Sequence, residues 1–370
     1  MFTPNILVAF EPLTSELGDD RLFYGESYCH FGDASHWLEP TKVLAQRGRC
    51  CGIEFHTADV VNLEDAAVFI FGDMPASPDQ VKRLRQDYPH LKIVLHILES
   101  PLRRDWIFDR RNHSYFDAVV SYNPELDDGV KHTAFKLPAG GLGKNIPPGA
   151  PWEDRKIACM LAQMQNVHPI RSGLGLIRRG WKFSQLSWWN YITASGSLYR
   201  EKVRIARQCE DTLAEQFDIF GPYWPMAKSG GNHGKVFRSA RGTYKGSKLD
   251  LLPNYRFTIA YENCLNDCGY ISEKLFDALL AGCVPVYLGN KSIAKYVPET
   301  AFVDARKFNL RRDLAIHLRE MPRERWLAMR CAGSAFLRDE AVGLFGSEQY
   351  AAAVIKAVQQ VMSAASAVTR

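Results

Sequence analysis

Apolar and polar positions along the first 150 residues fall into blocks that switch between a strand period and a helix period. Ile6 to Phe10, Ala67 to Phe71 and Ile93 to Leu98 are short, mostly apolar runs of strand length, while Trp37 to Gln46 and Pro78 to Gln86 carry a helical pattern. Strands alternating with helices predict a parallel sheet covered by helices. The stretch from Pro138 to Pro151, PAGGLGKNIPPGAP, has the glycine and proline density of a linker. The pattern then restarts with a strand at Lys156 to Leu161. A helix follows from about Leu198 to Gln216, with Val203, Ala206, Leu213 and Phe217 as its apolar positions, and then a strand at Phe217 to Phe220. Ser347 to Ser363 places Tyr350, Val354, Ile355, Val358 and Met362 on one face with few flanking cations. That predicts a helix packing back on the body in preference to one lying on a membrane surface, with peripheral membrane contact the minor alternative. No internal repeat interrupts the sequence. The expected organisation is a first domain at 1–150, a second at 151–340 and a closing helix at 341–370.

Residues 255–289, YRFTIAYENCLNDCGYISEKLFDALLAGCVPVYLG, carry the most chemistry. Phe257, Ile259 and Tyr261 alternate as a strand does and run into Glu262 and Asn263. The C-terminal ends of strands face the ligand crevice of an open α/β sheet. After Gly269, Ser272 is the expected N-cap of a helix of about ten residues, with Leu275, Phe276, Ala278 and Leu279 at helical spacing and Gly282 as the stop. Free N–H groups and the positive dipole end at such a helix start attract a phosphate. Lys274 stands in that first turn, where the dipole by itself disfavours a cation, and a bound diphosphate would explain the placement. Glu273 suits the dipole without any ligand, so a role on ribose hydroxyls needs support from elsewhere. Val284, Val286 and Leu288 form the next buried strand and close a βαβ unit.

Composition narrows the alternatives. A chain of 370 residues has room for two cores, and 46% hydrophobic with 24% charged residues is ordinary for a globular protein. The net charge of +5 is modest, and no basic stripe interleaved with aromatics points to nucleic acid. Nine cysteines at irregular spacing, including Cys50-Cys51 and the Cys264/Cys268 pair, form no disulfide framework or zinc spacing and suggest reduced thiols. The opening MFTPNILVAFEPL lacks a basic segment before a long apolar core, and no run of about 18 apolar residues occurs, so neither a standard export signal nor a membrane span is expected.

The run YENCLNDCGYISEKLFDALLAGCVPVYLG resembles the donor-binding signature of the glycosyltransferase family 10 α-1,3/4-fucosyltransferases: a strand ending in Phe-Glu-Asn, then Tyr-Val-Thr-Glu-Lys, an apolar helix, Gly and Val-Pro-Val. Glu99-Ser100-Pro101, after the strand ending at Leu98, is similar to the Glu-Ser-Pro element that supplies the catalytic carboxylate in animal members. Phe116 to Tyr122 is similar to the family's Phe-Asp-x-x-x-Ser-Tyr stretch. The resemblance touches residues 92–304 and is strong at 98–101 and 255–289. It implies an α/β fold of GT-B architecture, two Rossmann-like domains facing across a cleft. The first would bind the acceptor and carry the base, and the second would bind GDP-fucose. Animal members carry an N-terminal anchor and work in the Golgi, so the opening of this chain looks like that of a bacterial-type cytoplasmic enzyme. The heptad repeats near the C-terminus of some bacterial relatives are absent.

Transfer from a sugar nucleotide needs a carboxylate to take the acceptor proton, cations for the leaving diphosphate and a pocket for the nucleoside. The resemblance assigns Glu99 as base. Direct displacement implies inversion, from GDP-β-L-fucose to an α-L-fucoside, with O3 of N-acetylglucosamine the family's main acceptor position and an oligosaccharide or glycoconjugate the expected partner. Lys274 and Arg200 are assigned to the diphosphate, Arg171 competing with Arg200 because the Thr193–Arg200 stretch lacks the family's Asn. Tyr270 and Glu273 would contact the nucleoside, and Glu262 with Asn263 the fucose side. The Arg103-Arg104 and Arg110-Arg111 pairs are read as solvated charge. The segment from Gly221 to Lys248, rich in Gly, Lys, Arg and Ser, reads as a donor-closing loop. Two rival readings stay open: a GT-B transferase for another GDP-sugar, and a non-catalytic relative that binds glycans or sugar nucleotides. No Asp-x-Asp triplet occurs, and the adjacent pairs Asp19-Asp20 and Asp127-Asp128 would point apart on a strand. Lys274, an arginine and a helix start can neutralise the leaving group without a cofactor. Transfer activity is therefore expected to persist fully in EDTA, and abolition rescued by Mn2+ would refute this.

Overall fold

The computed structural model describes residues 5–12, 14–28, 34–72, 75, 77–100, 105–143, 149–163, 197–224, 236–266, 268–308 and 313–368. Its strands are β1 (Ile6–Glu11), β2 (Ile53–Thr57), β3 (Val68–Phe71), β4 (Lys92–Ile97), β5 (Ala118–Ser121), β6 (His132–Ala134), β7 (Lys156–Leu161), β8 (Phe217–Phe220), β9 (Tyr255–Asn266), β10 (Val284–Asn290) and β11 (Val303–Asp304). They form a six-stranded sheet in the order β2-β1-β3-β4-β5-β6 and a five-stranded sheet in the order β11-β10-β9-β7-β8. Every ladder between these strands is parallel. Parallel strands need crossovers that cover both faces, which is why β3 and β5 are buried along their whole length.

Both sheets start with a strand that takes its sequence neighbour on one side and all later strands on the other. Counted within each sheet, the five leading strands run 2-1-3-4-5, a doubly wound order whose ligand crevice lies beyond the C-terminal strand ends at the reversal. In the second sheet the reversal lies between β7 and β9, the strand that carries Glu262 and Asn263.

The chain divides into two compact units. One takes in Met1–Lys144, Asp267–Glu273 and Leu337–Arg370, the other Asn145–Asn266 and Lys274–Phe336. This partition is interleaved along the sequence. The helix Ser347–Val368 inserts Tyr350, Val354, Ile355 and Val358 into the core of the first unit, and Glu348 at its start takes a two-pronged hydrogen bond from Arg47, 2.7 Å at each oxygen. Among the described residues no helix is long and apolar enough to cross a membrane.

His96, the penultimate residue of β4, is fully buried among Phe10, Phe135 and Tyr350, with Phe135 stacked on its ring at 5.5 Å. Among the described residues neither ring nitrogen has a hydrogen-bond partner. Burial disfavours the imidazolium and lowers its pKa to about 3. The unfolded chain therefore takes up the proton first, so the stability present above about pH 6.5 is lost as pH falls toward 3. Replacing the imidazole by an apolar side chain removes two unpaired polar atoms, each worth about 1–3 kcal/mol. His96→Leu should raise the thermal midpoint, and by more at pH 5 than at pH 8. An equal shift at both pH values in thermal melts would count against this account.

Candidate donor site

β9 is longer than the apolar alternation suggested. It continues through Glu262 and Asn263 to Asn266, because the residues beyond Tyr261 still find partners. Asn266 pairs with Asn290 of β10 after a register shift, and Cys264 bridges antiparallel to Ser197. Glu262 and Asn263 are thus the eighth and ninth of the strand's 12 residues, where expectation put them at its end. Glu262 is 0% exposed. A carboxylate buried that completely must be paired. Lys274 Nζ lies 3.6 Å from Glu262 Oε2, and the Tyr287 hydroxyl donates to the same carboxylate. Burial first, and the Glu262 charge second, hold the Tyr287 phenol well above its usual pKa. The Tyr287 oxygen in turn accepts the Asn290 N–H at 3.1 Å. Position 289 has to be glycine: a Cβ there would come within 2.3 Å of Glu262 Cγ and 2.7 Å of the Tyr287 hydroxyl.

The helix carrying Lys274 spans Glu273–Leu280, starting directly after the buried Ser272. It stops where the sequence placed its stop. Gly282 has φ +62°, its N–H bonds to the Leu279 carbonyl at 3.0 Å, and the Cys283 N–H bonds to the Ala278 carbonyl at 2.9 Å. This left-handed double closure costs least with glycine. Lys274 is held in the first turn with its side chain 22% exposed.

Asn263 is engaged from a second helix, Tyr199–Leu213. Its carbonyl accepts the Leu198 N–H at 2.9 Å, and its side-chain oxygen accepts from Lys202 Nζ at 3.0 Å. Lys202 is only 4% exposed and lies 4.8 Å from the centre of the Tyr199 ring. Arg200, the expected diphosphate ligand, occupies the first turn of this helix but is exposed. Its rival Arg171 lies outside the described residues. Lys202 was missed, although the pattern held a signal: it shares the buried face with Ile205, Ala206, Cys209 and Leu213, an apolar stripe that has no use for an unpartnered cation.

The expected base belongs to the first unit. Glu99 follows β4, half-buried, with its Oε2 accepting the Ser100 N–H at 3.4 Å. The Tyr122 hydroxyl donates to the Glu99 main-chain carbonyl at 2.9 Å. Tyr270 is 4% exposed and packs on Tyr122, ring centres 5.3 Å apart. Tyr270 and Glu273 thus belong to the compact unit that carries Glu99, whereas Lys274 begins the return to the other. Glu273 is half-buried. Of the loop at 221–248, residues 225–235 lie outside the described ones, as do Pro101 and the Arg103-Arg104 pair. Its described part is packed, with Ser239 bonded through N–H and hydroxyl to Glu210 and Arg241 bonded to Asp218.

Neither adjacent acidic pair lies on a strand. Asp20 sits at φ +58° and is used up by His56 and the Thr57 N–H; Asp128 accepts three successive N–H groups at 130–132 and faces the His132 ring. Among the described residues no group of three or more His, Cys, Asp or Glu is placed to hold a metal ion.

Comparison with known proteins agrees with this geometry. Residues 229–329 match the model of the glycosyltransferase family 10 (fucosyltransferase) C-terminal region. The human 3-galactosyl-N-acetylglucosaminide 4-alpha-L-fucosyltransferase FUT3 is 37% identical over 90 residues, 24% of this chain and 25% of that protein. An Arabidopsis thaliana alpha-(1,4)-fucosyltransferase is 34% identical over 70 residues, 19% of this chain and 17% of that one. The aligned stretch thus spans a quarter or less of these relatives' length. The whole fold is similar to an alpha1,3-fucosyltransferase solved with GDP, with a TM-score of 0.55 and 15% identity over 98% of this chain and 91% of that one. It is also similar to the Anabaena protein HepE solved with UDP-glucose, with a TM-score of 0.50 and 10% identity over 98% and 100% of the two chains. The architecture is that of the GT-B transferases, built from two parallel α/β units. Over residues 229–329 the chain is thus similar to the C-terminal region of glycosyltransferase family 10, the fucosyltransferase family.

Proposed function

We propose that the protein is an inverting fucosyltransferase that moves L-fucose from GDP-β-L-fucose to a glycan hydroxyl, O3 of N-acetylglucosamine being the favoured position. The observation that carries this reading is the helix start at Lys274. There a cation stands against the helix dipole beside a buried carboxylate, at the C-terminal side of a parallel sheet and inside the family-matched segment. At 3.6 Å the ammonium is close to Glu262 without being locked to it, so an incoming diphosphate offers it a second anion. Lys274 then balances the charge that grows on the leaving GDP, with Arg200 as the exposed second cation. Buried Lys202 orients Asn263 on the same strand. Glu262, already committed to Lys274 and Tyr287, acts as resident counterion to Lys274, a different role from the sugar contact first assigned to it.

Glu99 is the base in this reading. A half-buried carboxylate takes the proton of the acceptor hydroxyl as that oxygen attacks the anomeric carbon and the bond to GDP breaks. One displacement inverts the β-linked donor to an α-fucoside. Tyr270 and Glu273 serve the nucleoside. The likeness to HepE, solved with UDP-glucose, favours a second reading in which the same build takes a different sugar nucleotide. In the first reading the enzyme works in the cytoplasm on a surface polysaccharide precursor.

Glu99→Ala should reduce transfer to background while GDP affinity by calorimetry stays within about twofold, since a base acts only in the chemical step. An unchanged rate would sink the assignment. Lys274→Met should weaken GDP binding and also lower stability by about 3 kcal/mol, because it strands a buried carboxylate. Adding Glu262→Gln should return most of the stability but none of the affinity. Thermal-shift and donor-hydrolysis screens across GDP- and UDP-sugars decide the donor: GDP-fucose alone should be turned over, and turnover of another sugar nucleotide in its place selects the second reading. An acceptor array with GDP-fucose, read by mass, identifies the acceptor.

A further inference from the structure

We infer that Tyr122 is a positioning residue that ties the main chain of Glu99 to the loop 268–273, so that a seated loop holds the base in place. The inference rests on the reading of Glu99 as base. Three parts of one fully buried side chain and its backbone make three separate attachments. The hydroxyl donates to the Glu99 carbonyl at 2.9 Å. The ring packs against Tyr270, centres 5.3 Å apart at 58°, and against Phe108 at 6.4 Å. The Tyr122 carbonyl lies so close to Gly269 that a Cβ there would approach it to 2.7 Å, at a φ of +85° that already favours glycine. The loop therefore fits onto Tyr122 only through a residue without a side chain, and Tyr270 is fixed immediately beyond it.

The chemical sense follows from where Glu99 stands. It is the second residue past the end of β4, beyond the last ladder pair between Ile97 and Ser121, so sheet hydrogen bonds no longer fix its backbone. The Tyr122 hydroxyl supplies a fixed point there. Tyr122 itself is the first residue past β5, adjacent to β4, and is held by the same ladder through Ser121. A side chain anchored by the sheet thus braces a residue that the sheet no longer reaches. Its other face is the seat of the loop that the proposed function assigns to the nucleoside. Occupancy of that loop and the aim of the base are coupled through a single tyrosine.

Tyr122→Phe deletes the hydroxyl and keeps the ring. It should lower kcat by about 10- to 100-fold, the scale of a misplaced reacting group, with GDP affinity and donor KM within about twofold of the parent. Because Tyr122 acts through Glu99, adding Tyr122→Phe to Glu99→Ala should change the residual rate no further. Gly269→Ala should instead weaken GDP binding as well as kcat. Amide exchange gives a readout that needs no turnover: Tyr122→Phe should accelerate exchange at Glu99–Ser100 and leave 268–273 protected, whereas Tyr122→Ala should release both segments. A Tyr122→Phe enzyme with parental kcat, or parental exchange at Glu99–Ser100, overturns the inference. If the parent binds GDP but transfers no sugar, the fucosyltransferase reading fails, while the exchange result still decides whether Tyr122 braces Glu99.

Discussion

A carboxylate with no exposure to water, Glu262, sits inside a parallel sheet, and the surrounding architecture answers to that charge. Isolated, such a group would be neutralised or would unfold its surroundings. Lys274 and Tyr287 make it tolerable, and their positions depend on three local devices: a helix that begins at Glu273, a strand that presents Tyr287 from the neighbouring ladder, and a glycine at 289 that leaves room for the carboxylate stem. The lysine that opposes its own helix dipole is thereby compensated within the protein. On the proposed reading a ligand diphosphate does not need to create a binding charge; it competes for one that is already in place.

The second unit buries other charges by the same rule. Arg155 is 1% exposed and gives its guanidinium hydrogens to the carbonyls of Ala150, Tyr255 and Gly282, joining the start of β9 to the stop of the Lys274 helix. Asp218 receives Lys156, Arg241 and the Tyr255 hydroxyl; burial acts to raise its pKa, but those three hydrogen bonds outweigh it and leave the carboxyl below its usual value. The first unit handles burial differently, accepting an uncharged and unpaired imidazole at His96. Each unit has an apolar core of its own, and their leading strands share one winding order.

Much of this was legible in the sequence wherever a period was long enough to read. β7 and β8 appear where the apolar runs put them, and Gly282 closes its helix as its position in the pattern required. β2 and β6 escaped notice: β2 alternates over only five residues, and β6 is three residues long with two polar members, too little for a period. The donor signature identified Glu262 and Lys274 as important, but not that they face each other, since contact across a loop is invisible to spacing. Lys202 was missed because the family resemblance directs attention to arginine, while burial, which marks Lys202, depends on tertiary packing. The division of one continuous motif between two compact units has no signal in composition at all.

The helix Ser347–Val368 gives the interleaved partition a temporal meaning. The second unit is complete once residue 336 has been made, so its sheet and the Glu262–Lys274 pair can assemble on a growing chain. The first unit, although most of it is synthesised earlier, lacks part of its core until Tyr350, Val354, Ile355 and Val358 arrive, each large side chain among them worth about 1.5–3 kcal/mol when buried. Glu99 and the Tyr122 brace belong to that late-completing unit. During synthesis the unit proposed to hold the donor diphosphate is thus the first to have all its residues present, and the unit proposed to carry the base is finished only by the last helix described.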